Sequence, residues 1–159
     1  MTIVRSMSCN DVAGVCAIEQ QSVSAWSRAQ IAAELDSAGP VLVAEDEAGL
    51  VGWCCGRSLG GEAELLKVAV TGERRRQGIG TLLYLAFERV LVAEGCTTLF
   101  LEVREANLPA IGFYRRQEFK EVGRRLKYYV DPEEDALVLR KDFALSGRDF
   151  SRSCQEAKK

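Results

Sequence analysis

From Ala63 to Arg104 the chain reads AELLKVAV, TGERRRQGIG, TLLYLAFERVLVAEG and CTTLFLEVR in succession. Two strand-like runs bracket a run with Ile79, Leu82, Leu83, Ala86, Phe87, Val90 and Leu91 at helical spacing, closed by Gly95. A helix between two strands is a crossover connection, which permits the strands to lie parallel in one sheet. No other stretch restricts the fold as much, and the rest can be arranged around it.

A first strand is expected over Thr2–Ser6. Asn10 or Ser8 can cap a helix to about Ser22, with Val12, Val15 and Cys16 on one face. Ser27 followed by Gln30 is a capping box, with Trp26 and Ile31 placed as a hydrophobic staple, and Gly39-Pro40 ends that second helix. VLVAED and LVGWCCGRS form a hairpin about Asp46 to Gly49. LPAIGFYRRQ is a short helix with Pro109 in its first turn. KEVGRRLKYYV and DALVLRKDF form a closing hairpin. The expected order is β-α-α-β-β-β-α-β-α-β-β, a single α/β domain over residues 1–144 with a polar C-terminal tail over 145–159.

The junction Arg74–Gly80, RRRQGIG, lies between a strand and a helix start. About four N–H groups there lack helical partners, and the helix dipole favours an anion. Gly78 and Gly80 let ligand oxygens approach, while Arg75, Arg76 and Gln77 add donors. That is a pyrophosphate cradle; a solvated basic turn is the plainer alternative. A Walker A loop would need a lysine before Thr81, and a dinucleotide fingerprint a third glycine near Leu83; both are missing.

Composition narrows the chemistry. Histidine is absent, which removes Ser-His-Asp and Cys-His nucleophile systems and the common zinc motifs, so no metal site is expected. A net charge of −2 points to no nucleic-acid partner, and no apolar run is long enough to span a membrane. Six cysteines without a C-x-x-C pair, behind an N-terminus unlike a signal peptide, suggest reduced thiols and a cytoplasmic protein. Cys54 and Cys55 would point to opposite faces of one strand.

The segment VAVTGERRRQGIGTLL resembles the acyl-CoA-binding signature Q/R-x-x-G-x-G/A of the GNAT acetyltransferases, and LEVREANLPAIGFYRRQEF resembles the segment that follows it. The LEVR…N…AI…Y spacing is similar to the RimI branch, which acetylates protein N-terminal α-amines. The resemblance runs from about Thr2 to Phe143 and is strongest over Glu64–Phe119. It implies the GNAT fold: a mixed twisted sheet of about seven strands flanked by about four helices, splayed between strands four and five. It further implies acetyl-CoA bound along Val68, Ala69 and Val70, with the pyrophosphate on Arg75, Arg76, Gln77, Gly78, Ile79, Gly80 and Thr81. Asn107 would contact it from the far side. Glu102 is implied as general base and Tyr114 as general acid.

The residues support these roles by chemistry. An amine attacks a thioester only when unprotonated, and an α-amine, with a pKa of about 8, loses its proton far more readily than lysine at about 10.4. Glu102 sits among apolar neighbours whose burial would raise its affinity for a proton; the alternative is an outward-facing residue or a partner of Arg104. A Tyr114 phenol can protonate a departing thiolate; the alternative is a core aromatic beside Ile111 and Phe119. A strand N–H such as that of Val68 would stabilise charge on the thioester oxygen.

Glu118 stands where the family often has glycine before Phe119, so a differently shaped turn is expected there. Trp26, Tyr128 and Tyr129 are candidates for the acceptor groove, or else core residues. Four carboxylates between Asp131 and Asp135 would attract a cationic segment, or form a solvated turn. The expected protein is a monomer or weak homodimer that acetylates a protein or peptide N-terminus. A small amine or lysine as acceptor, and a non-catalytic acyl-CoA sensor, are the alternatives.

Overall fold

In a computed structural model, residues 1–144 are described, and the expected tail over 145–159 lies outside them. The strands are β1 (Ile3–Ser6), β2 (Val41–Asp46), β3 (Gly49–Leu59), β4 (Glu62–Val70), β5 (Thr98–Arg104), β6 (Lys120–Val130) and β7 (Glu133–Asp142). The helices are α1 (Val12–Glu19), α2 (Arg28–Glu34), α3 (Ile79–Ala93) and α4 (Leu108–Arg116), with 3-10 turns at Cys9–Asp11 and Gly72–Arg74. The order of elements is the one expected. The first helix is shorter: its opening turn is 3-10 and it stops at Glu19 rather than Ser22.

The strands form one sheet in the order β1-β2-β3-β4-β5-β7-β6, antiparallel throughout except for β4 and β5. Two cores follow from strand alternation. Leu83, Tyr84, Phe87 and Leu91 of α3 pack with Leu65, Leu99 and Leu101 on one face. Val15 and Ile18 of α1 and Ile31 of α2 pack with Val43 and Trp53 on the other. Cys54 falls in the first core and Cys55 in the second. Burial pushes both thiols up, Cys54 to about 12. Tyr84 replaces Leu82 on the buried stripe of α3, since Leu82 is 46% exposed. Local capping holds as read: Ser27 Oγ accepts from Gln30 N at 3.2 Å and Gln30 Oε1 from Ser27 N at 2.8 Å.

The parallel pairing of β4 and β5 is short. It runs from Glu62↔Thr98 to Leu65↔Leu101 and then ends. At that level the β3–β4 register slips, with Cys55 opposite Lys67 but Gly56 opposite Leu65, so Leu66 is an extra residue. A bulge of this kind bends and twists its strand. Meanwhile β5 continues along β7 through Arg104↔Ala136. The two strands therefore part, opening the expected gap between residues 66–70 and 102–104.

Candidate active site

The gap carries unpaired backbone. Thr71 N donates to Val51 O at 2.9 Å, so Thr71 and, by alternation, Ala69 point their polar groups at β3. Val68 and Val70 then point theirs away from β3, into the space β5 has left. The Val70 carbonyl already accepts from Arg75 Nε at 3.1 Å.

At the end of β4 the glycine-rich loop leads into α3. Arg76 and Gly78 both have positive φ, +61° and +83°. Left-handed residues at a helix start can turn backbone N–H groups toward one concavity. No side chain caps α3, and among the described residues no protein group accepts the N–H groups of Arg76 to Thr81. A Cβ on Gly78 would meet nothing within 4 Å, and one on Gly80 only the Phe113 ring at 3.8 Å and Val70 at 3.9 Å. Packing does not demand these glycines. An open concavity lined by unpartnered N–H groups fits a diphosphate.

The loop's side chains are arranged differently from the sequence reading. Arg75 folds back onto Val70, and Gln77 Nε2 donates to Glu73 O at 3.2 Å, within the loop itself. Arg74 pairs with Asp46 at 3.0 Å and anchors the 3-10 turn. The backbone, more than the side chains, presents donors. Asn107 caps α4, its Oδ1 accepting from Ala110 N at 3.3 Å, which leaves its amide donors unengaged.

Glu102 alternates with Leu101 and Val103, which belong to the α3-side core, so its carboxylate faces the other side of the sheet. It is only 15% exposed and pairs with Arg125 Nε at 2.9 Å. Arg104 is not its partner. An open cleft of about 700 Å³ on this face is lined by Arg57, Glu64, Phe100, Glu102, Arg125 and Val138. Tyr114, on α4, packs with Phe113 and Phe119 against the α3-side core. Burial raises its phenol above the usual range. Its ring packs as a core aromatic, and among the described residues its hydroxyl donates to no protein atom. Glu102 and Tyr114 thus stand on opposite faces with the strand gap between them.

Tyr128 and Tyr129 stack edge to face at 5.1 Å on β6. The Glu102 carboxylate near its hydroxyl raises the Tyr128 phenol; burial raises Tyr129 to about 12. Trp26 is half-buried, edge-on to Trp53 at 5.7 Å, so it serves the α1/α2 core. The acidic turn is largely neutralised internally. Glu133 pairs with Lys127 at 3.7 Å, Glu134 with Arg104 at 3.3 Å and Asp135 with Arg124 at 3.1 Å.

One network lay beyond sequence reasoning. Glu19, wholly buried, accepts from Trp53 Nε1 at 2.9 Å and Trp26 N at 2.9 Å, and pairs with Lys67 at 3.1 Å. Its one signal was an acid placed directly after the apolar positions Val12, Val15 and Ile18.

A parallel pair that parts beside a helix start with unpartnered N–H groups is an arrangement with room for an extended ligand in the sheet. The sequence profile of the acetyltransferase (GNAT) family matches residues 11–119, and the chain belongs to this family. GNAT acetyltransferases use acetyl-CoA. A Bacillus subtilis (strain 168) protein with the provisional name ribosomal protein bS18-alanine N-acetyltransferase is 32% identical over 139 residues, covering 86% of this chain and 92% of that protein. The Escherichia coli (strain K12) ribosomal protein bS18-alanine N-acetyltransferase is 39% identical over 80 residues, 49% of this chain and 54% of that protein. The crystal structure of the Escherichia coli ribosomal-protein-S18-alanine N-acetyltransferase superposes with a TM-score of 0.85 at 27% identity, covering 92% of this chain and 97% of that one. The Ard1 structure from Thermoplasma volcanium gives 0.82 at 27% identity, with 91% and 99% covered.

Proposed function

We propose that this protein transfers acetyl from acetyl-CoA to the N-terminal α-amine of a protein, by direct attack with both substrates bound. The observation that carries the reading is the gap: the backbone of Val68 and Val70, without a strand partner on the β5 side, leads from the open amide concavity at α3 to the half-buried Glu102 carboxylate. The names of the similar N-acetyltransferases support the acceptor class.

Bound acetyl-CoA supplies the activated thioester; the remaining work belongs to the chain. The N–H groups of Arg76 to Thr81 and the helix dipole hold the diphosphate. Val68 and the Val70 N–H would offer strand-type hydrogen bonds to an extended arm, and the Val68 N–H would stabilise charge on a carbonyl oxygen. Glu102 accepts the amine proton, directly or through water; an incoming ammonium competes with Arg125 for it. Tyr114, a phenol that is protonated at neutral pH, donates to the departing thiolate. Because base and acid occupy different faces, proton uptake and delivery stay separate.

The test is a peptide panel with free and blocked N-termini, assayed with wild type, Glu102→Gln and Tyr114→Phe. Transfer to free N-termini alone is expected. Glu102→Gln should lower kcat about 100-fold and Tyr114→Phe about tenfold, with acetyl-CoA affinity retained. Reaction only at lysines of blocked peptides would defeat the α-amine acceptor. Full activity in both variants would defeat the assigned roles and favour another proton path.

A further inference from the structure

Past the level of Leu65 and Leu101 the two parted strands are bridged by one serine. Ser24 lies in the connection between α1 and α2. Lys67 Nζ, from β4, donates to the Ser24 carbonyl at 3.1 Å. Arg104, from β5, donates to Ser24 Oγ through Nη2 at 2.9 Å and Nε at 3.2 Å. Lys67 is itself held by the buried Glu19 at 3.1 Å.

Arg104 reaches further. Its Nη1 donates to Pro132 O at 3.1 Å and Glu134 Oε1 at 3.3 Å, and its Nη2 to Asp131 O at 3.3 Å. Its guanidinium lies over the Tyr129 ring, 4.1 Å from the centroid. The other Glu134 oxygen accepts from Ala106 N at 2.6 Å, which fixes that carboxylate to the end of β5. One side chain, 14% exposed, thereby ties the α1–α2 connection to the β6–β7 turn. A planar fork with five donors can satisfy a hydroxyl, two carbonyls and a carboxylate while stacked on a ring; an ammonium cannot.

Arg104 stands two residues beyond Glu102 and, by alternation, on the same face of β5. We propose that Arg104, with Ser24, is a positioning residue for the acceptor: it fixes the two walls between which an amine reaches Glu102. The inference rests on the reading of that face as the acceptor side. It predicts that the clasp governs acceptor affinity and leaves the acetyl-CoA cradle, on α3, untouched.

The experiment compares wild type, Arg104→Lys and Ser24→Ala, measuring KM for an N-terminal peptide and for acetyl-CoA separately. Arg104→Lys should raise the peptide KM about tenfold or more, the scale of lost charge-assisted hydrogen bonds, with the acetyl-CoA KM within about twofold. Ser24→Ala removes one exposed hydroxyl, so it should fold normally and shift the peptide KM in the same direction by less. Hydrogen exchange on the free protein gives a readout independent of turnover: Ser24→Ala should accelerate exchange at residues 131–134 as well as 20–27. Peptide KM values unchanged in both variants, the two KM values rising together, or exchange rising only beside the substitution would each overturn the clasp. Failure of the wild type to acetylate any amine would instead defeat the function reading, and exchange would then decide the coupling.

Discussion

Single residues here act mainly through their partners. Asp11 is buried and takes a bidentate contact from Arg5, at 2.8 and 2.9 Å, as well as the Ser8 N–H at 2.8 Å. Arg5 also pairs with Glu45 at 2.9 Å, so β1, β2 and the 3-10 turn meet at one guanidinium. The Arg5 hydrogen bonds are the largest cause holding the Asp11 carboxyl down at about 2, from 3.8. A carboxyl with a depressed folded-state pKa adds stability that is complete above its unfolded value and is lost as pH falls through the folded one. Asp11→Asn should therefore cost about 1–2 kcal/mol at neutral pH, with partial exposure of Arg5 keeping it below the full linkage value. Urea midpoints should show the gap from wild type closing between pH 3.8 and about 2. A gap that persisted at the acid end would mean that Asp11 acts through shape and not charge. Glu102 shows the same dependence on partners: its place in an apolar strand was readable, but its pairing with Arg125, 23 residues away and on the edge strand, was not.

At the scale of elements, the helix starts and turns divide into those set by folding and those set aside for a ligand. Phe119 N donates to Tyr114 O at 3.1 Å and Glu118 N to Arg115 O at 3.0 Å, and Glu118 adopts φ +71°. The left-handed turn after α4 is thus kept although glutamate replaces the expected glycine, contrary to the differently shaped loop anticipated; satisfied carbonyls at the helix end outweigh a strain of about 1–2 kcal/mol. The start of α3 is the opposite case, with donors left unsatisfied and room kept clear. Gly80→Ala separates the two demands. An added Cβ meets only ordinary contacts at 3.8 Å, and alanine favours helix over glycine by up to about 1 kcal/mol. The free variant should melt at the wild-type temperature or slightly higher, while calorimetric titration shows acetyl-CoA binding weakened about tenfold. A lower melting temperature with affinity intact would assign the glycine to packing.

At the scale of the whole molecule, the sheet is two antiparallel blocks joined by four parallel pairs, β1-β2-β3-β4 and β5-β7-β6, with α3 as the crossover. A ligand lying in the gap and on α3 would bond both blocks and bind only the folded state. At about 100 times its dissociation constant it adds about 2.7 kcal/mol. At about 2–4 °C per kcal/mol for a chain of this size, the melting temperature should rise by about 5–10 °C in scanning calorimetry. Acetyl-pantetheine, which lacks the diphosphate, should give much less at equal concentration, and equal shifts would remove the α3 cradle from the account. The sequence by itself determined the order of the strands and α-helices (though not the two 3-10 turns), the crossover that lets β4 and β5 lie parallel, the opposite facing of Cys54 and Cys55, and the glycine loop at a helix start. Each of those is a matter of periodicity, capping or φ preference within a few residues of chain. The tertiary structure decided the strand separation at the Leu66 bulge, the internal neutralisation of the acidic turn, and the Arg104 clasp over residues 80 apart from it in sequence. These depend on register and on charges brought together from separate elements, and no local pattern encodes a distance between strands.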